Sequence, residues 1–250
     1  MKKNNRMRLV GALLVAGALA FAGAPAAGAA APGSVTCSEG MLAAGSYTDV
    51  TVSGMCIIDG SAQISGSVTV MSRAKAVLTG AEVGGSVRLA ADSIVSASGT
   101  TVHGSISAAN AKALYVFFSH IDGNVSFIGG GFGPTCMNPK ALEGQGHNTM
   151  IKDSTIEGNV TFNGWSGCWF GFLRNTVGHN VLIANMYANP ENVIEFMGMT
   201  IHQGLDSTEV VANHVAGVLN CTGNTPAAQI GDAMPVGNTA GHLLGECAAY

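Results

Sequence analysis

Charged side chains are scarce in this chain of 250 residues: Asp, Glu, Lys and Arg together make up 10% of it, and aromatic residues 6%. With 11 Lys+Arg against 15 Asp+Glu the chain is acidic, which argues against nucleic acid as the partner. No stretch shows a helical apolar period bounded by caps, so a helical fold is excluded as well. The one long apolar run, from Leu9 to Phe21, falls well short of the roughly 20 residues that a membrane-spanning helix needs. Cys-x-x-Cys and Cys-x-x-His spacings are missing, and with them the local signature of a thiolate metal site. Asp-x-Asp and adjacent acid pairs are missing too, so no linear motif marks acid–base chemistry. Disorder is excluded by a hydrophobic content of 47%.

Glycine, in contrast, is abundant at 35 residues, and part of it returns at a fixed interval. Ile64-Ser-Gly66-Ser-Val68-Thr-Val70 becomes Val83-Gly-Gly85-Ser-Val87-Arg-Leu89. The phrase returns as Val102-His-Gly104-Ser-Ile106-Ser-Ala108 and as Ile121-Asp-Gly123-Asn-Val125-Ser-Phe127. Gly66, Gly85, Gly104 and Gly123 are equally spaced, and a period of about 19 residues marks a stacked repeat architecture. Within each phrase the first, fifth and seventh residues are apolar or small and those between are mostly Gly, Ser, Asn or charged. That pattern predicts a turn on Gly followed by a short strand alternating inward and outward. Asn in the phrase is expected as a turn residue that tolerates left-handed φ, which leaves Asn124-Val-Ser, Asn159-Val-Thr and Asn220-Cys-Thr without a role as glycosylation sequons.

Val50-Thr-Val52 reads as the first such strand, after an N-terminal cap over residues 30 to 46. After Phe127 the period breaks: Ile156-Glu-Gly158-Asn-Val160 arrives 35 residues after Ile121, an excess of 16. The surplus is rich in Gly, Pro and Asn and predicts a loop insertion at about 129–148. The repeat resumes at Val177-Gly-His-Asn-Val181, more loosely at Ile201-His-Gln-Gly-Leu205, and last at Val215-Ala-Gly217. Rungs of this length give a perimeter of about 60 Å, enough for three sides of about 20 Å. Val68, Val87, Ile106, Val125, Val160 and Val181 are then expected to form one internal column, and Val70, Leu89, Ala108, Phe127, Phe162 and Ile183 another.

These rungs resemble the right-handed parallel β-helix proteins of the pectate-lyase-like superfold. The short regular rungs of residues 64 to 127 also resemble bactofilins, whose β-helices polymerise end to end. The closing Asn220-Cys221-Thr-Gly223-Asn-Thr-Pro226 resembles the C-terminal end of small secreted actinobacterial β-helix proteins of unassigned activity. The resemblance implies an all-β, single-domain right-handed parallel β-helix over residues 30–250. Enzymes of that superfold carry clustered acids on one outward face, with Ca²⁺ and an arginine base in lyases or paired Asp in hydrolases.

Lys2, Lys3, Arg6 and Arg8 precede the apolar run, and Ala24-Pro-Ala26 and Ala27-Gly-Ala29 follow it as small-residue cleavage sites. Residues 1–29 therefore read as a secretory signal peptide, and the mature protein is expected outside the cell or at its surface, with no membrane span. Without those four cations the chain has 7 Lys+Arg against 15 Asp+Glu, a balance of −8. Export makes disulfides the expected state of the six cysteines. Cys37 and Cys56, one period apart, suit adjacent rungs; proximity then pairs Cys136 with Cys168 and Cys221 with Cys247.

Two groups of residues are candidates for function. The position before the turn glycine reads Ser65, Gly84, His103, Asp122, Glu157 and Gly178 down the stack. This brings His103, Asp122 and Glu157 into a line at about 5 Å intervals. As a site it would serve a carbohydrate-active enzyme, a polysaccharide lyase or glycoside hydrolase, or Asp122 and Glu157 would hold Ca²⁺; as a solvated corner it would do neither. The second group is the aromatic stretch with Trp165, Trp169 and Phe170, which either presents ring faces to a polysaccharide or protein partner or fills the rung interior. The chain is expected to be a non-catalytic extracellular or cell-surface protein with a structural or binding role. A carbohydrate-active enzyme and a self-associating structural coil are the alternatives.

Overall fold

A computed structural model of the chain describes residues 33–133, 148–188, 192–196, 199–203, 208–231 and 236–249, and for 192–196 and 199–203 the backbone alone. The segment expected to be a signal peptide and most of the loop at 129–148, Cys136 included, lie outside the described residues.

β1 (Gly33–Met41) and β2 (Gly45–Asp59) open the coil. Short strands follow in threes: β3 (Ala62–Ile64), β4 (Val68–Val70) and β5 (Lys75–Thr79), then β6 (Glu82–Val83), β7 (Val87–Leu89) and β8 (Ile94–Ser98). Next come β9 (Thr101–Val102), β10 (Ile106–Ala109) and β11 (Ala113–Phe117), then β12 (His120–Ile121), β13 (Val125–Ile128) and β14 (Asn148–Lys152). β15 (Thr155–Ile156), β16 (Val160–Asn163), β17 (Ser166–Gly167) and β18 (Trp169–Leu173) form a wider turn. β19 (Thr176–Val177), β20 (Val181–Ala184) and β21 (Tyr187–Ala188) lead to the pair β22 (Asn192–Phe196) and β23 (Met199–Gln203). β24 (Thr208–Val211), β25 (His214–Thr222) and β26 (Thr239–Gly245) complete the order.

Every pairing among these strands is parallel except β22–β23, and each strand bonds to its counterpart one turn away, which makes the molecule a parallel β-helix. It has three faces. Face A stacks the start of β2 on β3, β6, β9, β12, β15, β19 and β25. Face B stacks β1, the middle of β2, β4, β7, β10, β13, β16, β20, β25 and β26. Face C stacks the end of β2 on β5, β8, β11, β14, β18 and β24. The two internal columns expected from the phrase are those of face B: Val68, Val87, Ile106, Val125, Val160 and Val181 are register partners in succession, as are Val70, Leu89, Ala108, Phe127, Phe162 and Ile183. All of these are buried, each worth about 1.5–3 kcal/mol for the larger side chains.

The phrase glycines have a different role from the one expected. Gly66, Gly85, Gly104, Gly123 and Gly158 are not at positive φ. They are small because a Cβ would strike the rung below: on Gly104 it would lie 2.7 Å from Gly85 O, and on Gly123 2.6 Å from Gly104 O. That close approach lets the backbones bond directly, Gly104 N–H donating to Gly85 O at 2.9 Å and Gly123 N–H to Gly104 O at 3.0 Å. The residue after each glycine extends the ladder with its side chain, as Ser105 N–H donates to Ser86 Oγ at 3.1 Å and Asn159 N–H to Asn124 Oδ1 at 2.7 Å. Asn124, Asn159 and Asn180 are therefore ladder residues and not left-handed turn residues. Positive φ belongs to other corners, where Gly80, Gly99, Phe118, Asp153, Arg174 and Ala212 occupy successive turns.

Other departures are local. The expected cap at 30–46 contains β1, a strand of the coil itself. The loose copy at Ile201 is not a rung, because Met199–Gln203 pairs antiparallel with Asn192–Phe196 as a second excursion from the coil. It lacks the Gly-[Ser/Asn] pair that the stacked corners need. Between Val160 and Val181 the rung is wider than in the regular array, its ladder residues Asn159 and Asn180 standing 21 apart in sequence. The added width holds a small ladder of β17 on β21. The core enlarges to match: Phe127 stacks on Phe162 at 5.6 Å between ring centroids, and Phe162 meets Phe170 edge-on at 4.8 Å.

Disulfides staple both ends. Cys37 is bonded to Cys56, with Cα atoms 6.0 Å apart, and Cys221 to Cys247 at 5.1 Å. Cys37 and Cys56 do not stack one above the other, since Cys37 is paired in register with Val52 and Cys56 with Gly40. Their bond spans the corner between faces B and C. Cys168 is buried and disulfide-bonded as well.

Candidate functional site

Face A is made of the shortest strands, so each rung offers two outward side chains there, one on either side of an inward apolar residue. Glu82 and Gly84 flank Val83, Thr101 and His103 flank Val102, His120 and Asp122 flank Ile121, and Thr155 and Glu157 flank Ile156. The register stacks them in two columns, Gln63–Glu82–Thr101–His120–Thr155 and Ser65–Gly84–His103–Asp122–Glu157.

The expected line of His103, Asp122 and Glu157 is present, and Glu82 and His120 from the neighbouring column join it. Nδ1 of His103 lies 2.8 Å from Asp122 Oδ2, and its Nε2 lies 3.1 Å from Glu82 Oε1. Asp122 uses its other oxygen, Oδ1, for Nε2 of His120 at 2.8 Å, and the same nitrogen is 4.0 Å from Glu157 Oε1. The result is an unbroken ridge, Glu82–His103–Asp122–His120–Glu157, across four rungs. Asp122 and Glu157 are linked only through His120.

An imidazole with a carboxylate on each nitrogen satisfies both only as the imidazolium, because the neutral ring has a single N–H. The hydrogen bond to Asp122, and after it that to Glu82, accordingly raise the pKa of His103 above its ordinary value. The hydrogen bond from His103 in turn holds the Asp122 carboxyl below the usual carboxylate range. Side-chain exposure is 44% for His103 and 40% for Asp122, so the ridge lies in water and not in a desolvated pocket. His103 has no nitrogen left for a substrate or an ion. Among the described residues no group of three or more His, Cys, Asp and Glu side chains is disposed to hold a metal.

At the N-terminal end of the ridge lies a cleft of about 410 Å³, lined by Ser46, Tyr47, Gln63, Ile64, Ser65, Glu82 and Gly84. Its volume falls within the range of small-ligand sites, roughly 300–1,000 Å³. Gly84 stands in the column between Ser65 and His103, where a Cβ would sit 2.4 Å from Ser65 O. Tyr47, the register partner of inward-facing Ile64, packs against the core, and its Oη donates to Ala43 O at 2.8 Å. Glu82 belongs to both features, as a lining residue of the cleft and as the first member of the ridge.

The aromatic stretch is divided between core and surface. Trp165 and Phe170 are fully buried, and Trp165 Nε1–H donates to Lys112 O at 2.9 Å. They fill the widened rung and offer no face to a partner. Trp169 alone of the three is half-buried, its indole lying across Gly171, where a Cβ would meet the ring at 2.4 Å.

Glu82 and His120 escape a reading confined to the residue before each glycine. The signal that finds them is the column two positions earlier, where Gln63, Glu82, Thr101, His120 and Thr155 are polar in every turn. No helix among the described residues is long and apolar enough to cross a membrane. Compared with protein-family models, with curated proteins and with solved structures, the chain matches none of them.

Proposed function

We propose that the protein is an exported, non-catalytic β-helix whose rigid face A binds a neutral polysaccharide at the Tyr47–Glu82 cleft. The observation that carries this reading is the polar make-up of the cleft, which brings the amide of Gln63, the carboxylate of Glu82 and the hydroxyls of Ser46 and Ser65 together on one face. Sugars present hydroxyls that donate to carboxylate and amide oxygens and accept from serine hydroxyls. The disulfides and the acidic balance of −8 after removal of the N-terminal cations suit a protein working outside the cell. A catalytic reading finds less support, because the acids and imidazoles of the ridge are spent on one another and Asp122 is held below the usual carboxylate range.

Self-association is a second reading with an observation of its own. Among the described residues β1 pairs only with β2 and β26 only with β25, so each end strand has a free edge, a template for another strand.

The test is calorimetric titration and thermal shift of the secreted protein against a panel of neutral and acidic polysaccharides. Binding of a neutral glycan is expected, with affinity lost in Gln63→Ala and Glu82→Ala. No response to any neutral glycan overturns the reading. Light scattering settles the second: a monomer at all concentrations removes it.

A further inference from the structure

The ridge ends at the cleft, and the shared residue is Glu82. We infer that the ridge is a proton-operated clasp that fixes Glu82 at the cleft wall, so that ligand binding there is switched by pH. This rests on the reading of the cleft as the binding site.

The groups facing His103 come from the neighbouring rungs of face A: Glu82 from β6, His120 from β12 with Asp122 just after it, and Glu157 beyond them after β15. Three carboxylates thus share two imidazoles. With His103 protonated, its two N–H groups point one way along the stack to Asp122 and the other way to Glu82. Glu82 is then a preorganised acceptor with its charge compensated. Loss of the proton leaves one N–H for two carboxylates. The shorter contact is to Asp122, at 2.8 Å against 3.1 Å, and Asp122 is also held by His120, so the neutral ring keeps Asp122 and turns its lone pair on Glu82. Two acceptors repel, and Glu82 is released with 74% of its side chain already exposed. A freed, rotating carboxylate is a poorer partner for a ligand hydroxyl, because its ordering must be met on binding.

The sign follows from the direction of the shift. His103 is raised above its ordinary value, so the clasp is closed below about pH 6.5 and opens as pH rises through the raised value. Asp122 is lowered, so the clasp also needs a pH above that depressed value.

The experiment uses the full secreted protein and a neutral glucan oligosaccharide as the probe. Histidine imidazole resonances are followed by NMR against pH, and affinity is measured by calorimetry on both sides of the His103 titration. His103 is expected to titrate above a free imidazole, with its midpoint shifted down in Glu82→Gln and in Asp122→Asn. Affinity is expected to fall with the same midpoint in the wild type and to be independent of pH in His103→Gln. Binding that is equal on both sides of a raised His103 titration overturns the switch and leaves the cleft reading standing. Binding at neither pH overturns the cleft reading and the switch with it. A His103 midpoint that neither Glu82→Gln nor Asp122→Asn moves shows the clasp itself not to form.

Discussion

Gly104→Ala tests why the repeat carries glycine at all. A turn glycine is replaceable by Asn at small cost, since Asn tolerates left-handed φ. A glycine held by close approach is not. At Gly104 the added Cβ would meet Ser86 Oγ at 2.4 Å, Gly85 O at 2.7 Å and Gly85 C at 2.8 Å, two of the three being backbone atoms of the next rung. Relieving that contact separates the two corners and stretches the bonds from Gly104 N–H to Gly85 O and from Ser105 N–H to Ser86 Oγ. Overpacking costs about 1–3 kcal/mol, and two weakened hydrogen bonds add about 1 kcal/mol each. The sum of about 3–5 kcal/mol corresponds to a fall in Tm of roughly 6–20 °C for a chain of this size. The control is Gly99, at φ +58 with open space around the Cβ position. There Ala costs about 1–2 kcal/mol from the left-handed backbone alone, whereas Asn is expected to be nearly neutral. Guanidinium denaturation and calorimetry of Gly104→Ala, Gly104→Asn, Gly99→Ala and Gly99→Asn decide the matter. Wild-type stability in Gly104→Asn refutes the close-approach argument.

Two further outcomes follow from the core and the ends. Phe162→Ala removes the ring between Phe127 and Phe170 and is expected to cost about 3–5 kcal/mol in chemical denaturation; a loss under about 1 kcal/mol means that the wide rungs are loosely filled. The double change Cys37→Ala with Cys56→Ala opens a link between residues 19 apart in sequence. It is expected to cost about 3 kcal/mol, measured under non-reducing conditions, and an unchanged midpoint shows the N-terminal turn to be held by its ladder alone.

The coil was legible because one rule, apolar at alternate positions after a fixed interval, governs both the strand and its stacking partner. Val68, Val87 and Ile106 announce each other's environment. Legibility fails where a property depends on reach across columns. The contact of His103 with Glu82 links residues 21 apart, and the repeat spacing does not report it because the imidazole leans from one column to the next. The burial of Trp165 goes with the widening of its rung, where the register sets Val160 on Val181 across 21 residues instead of 19. That spacing does not by itself say whether the extra residues turn inward or outward. The antiparallel pairing of Asn192–Phe196 with Met199–Gln203 escaped because Met199 and Ile201 alternate as a rung's apolar residues do, and only the corner pair tells the two apart.

Repetition carries a hazard that irregular cores do not, slippage by one whole turn. Over residues 64 to 127 a displacement by one full period sets Val on Val, Gly on Gly and Ser on Ser, so a slipped coil is almost as good as a true one. The first turn breaks that degeneracy. Val35 pairs with Val50 across a shorter interval than separates Val68 from Val87, out of step with every rung of the regular array. A slip that set β1 one rung away from β2 would carry Cys37 about 4.8 Å farther along the stack from Cys56, beyond the reach of their bond. The N-terminal disulfide is therefore a phase marker as much as a staple, recording which of several near-equivalent alignments the chain has chosen.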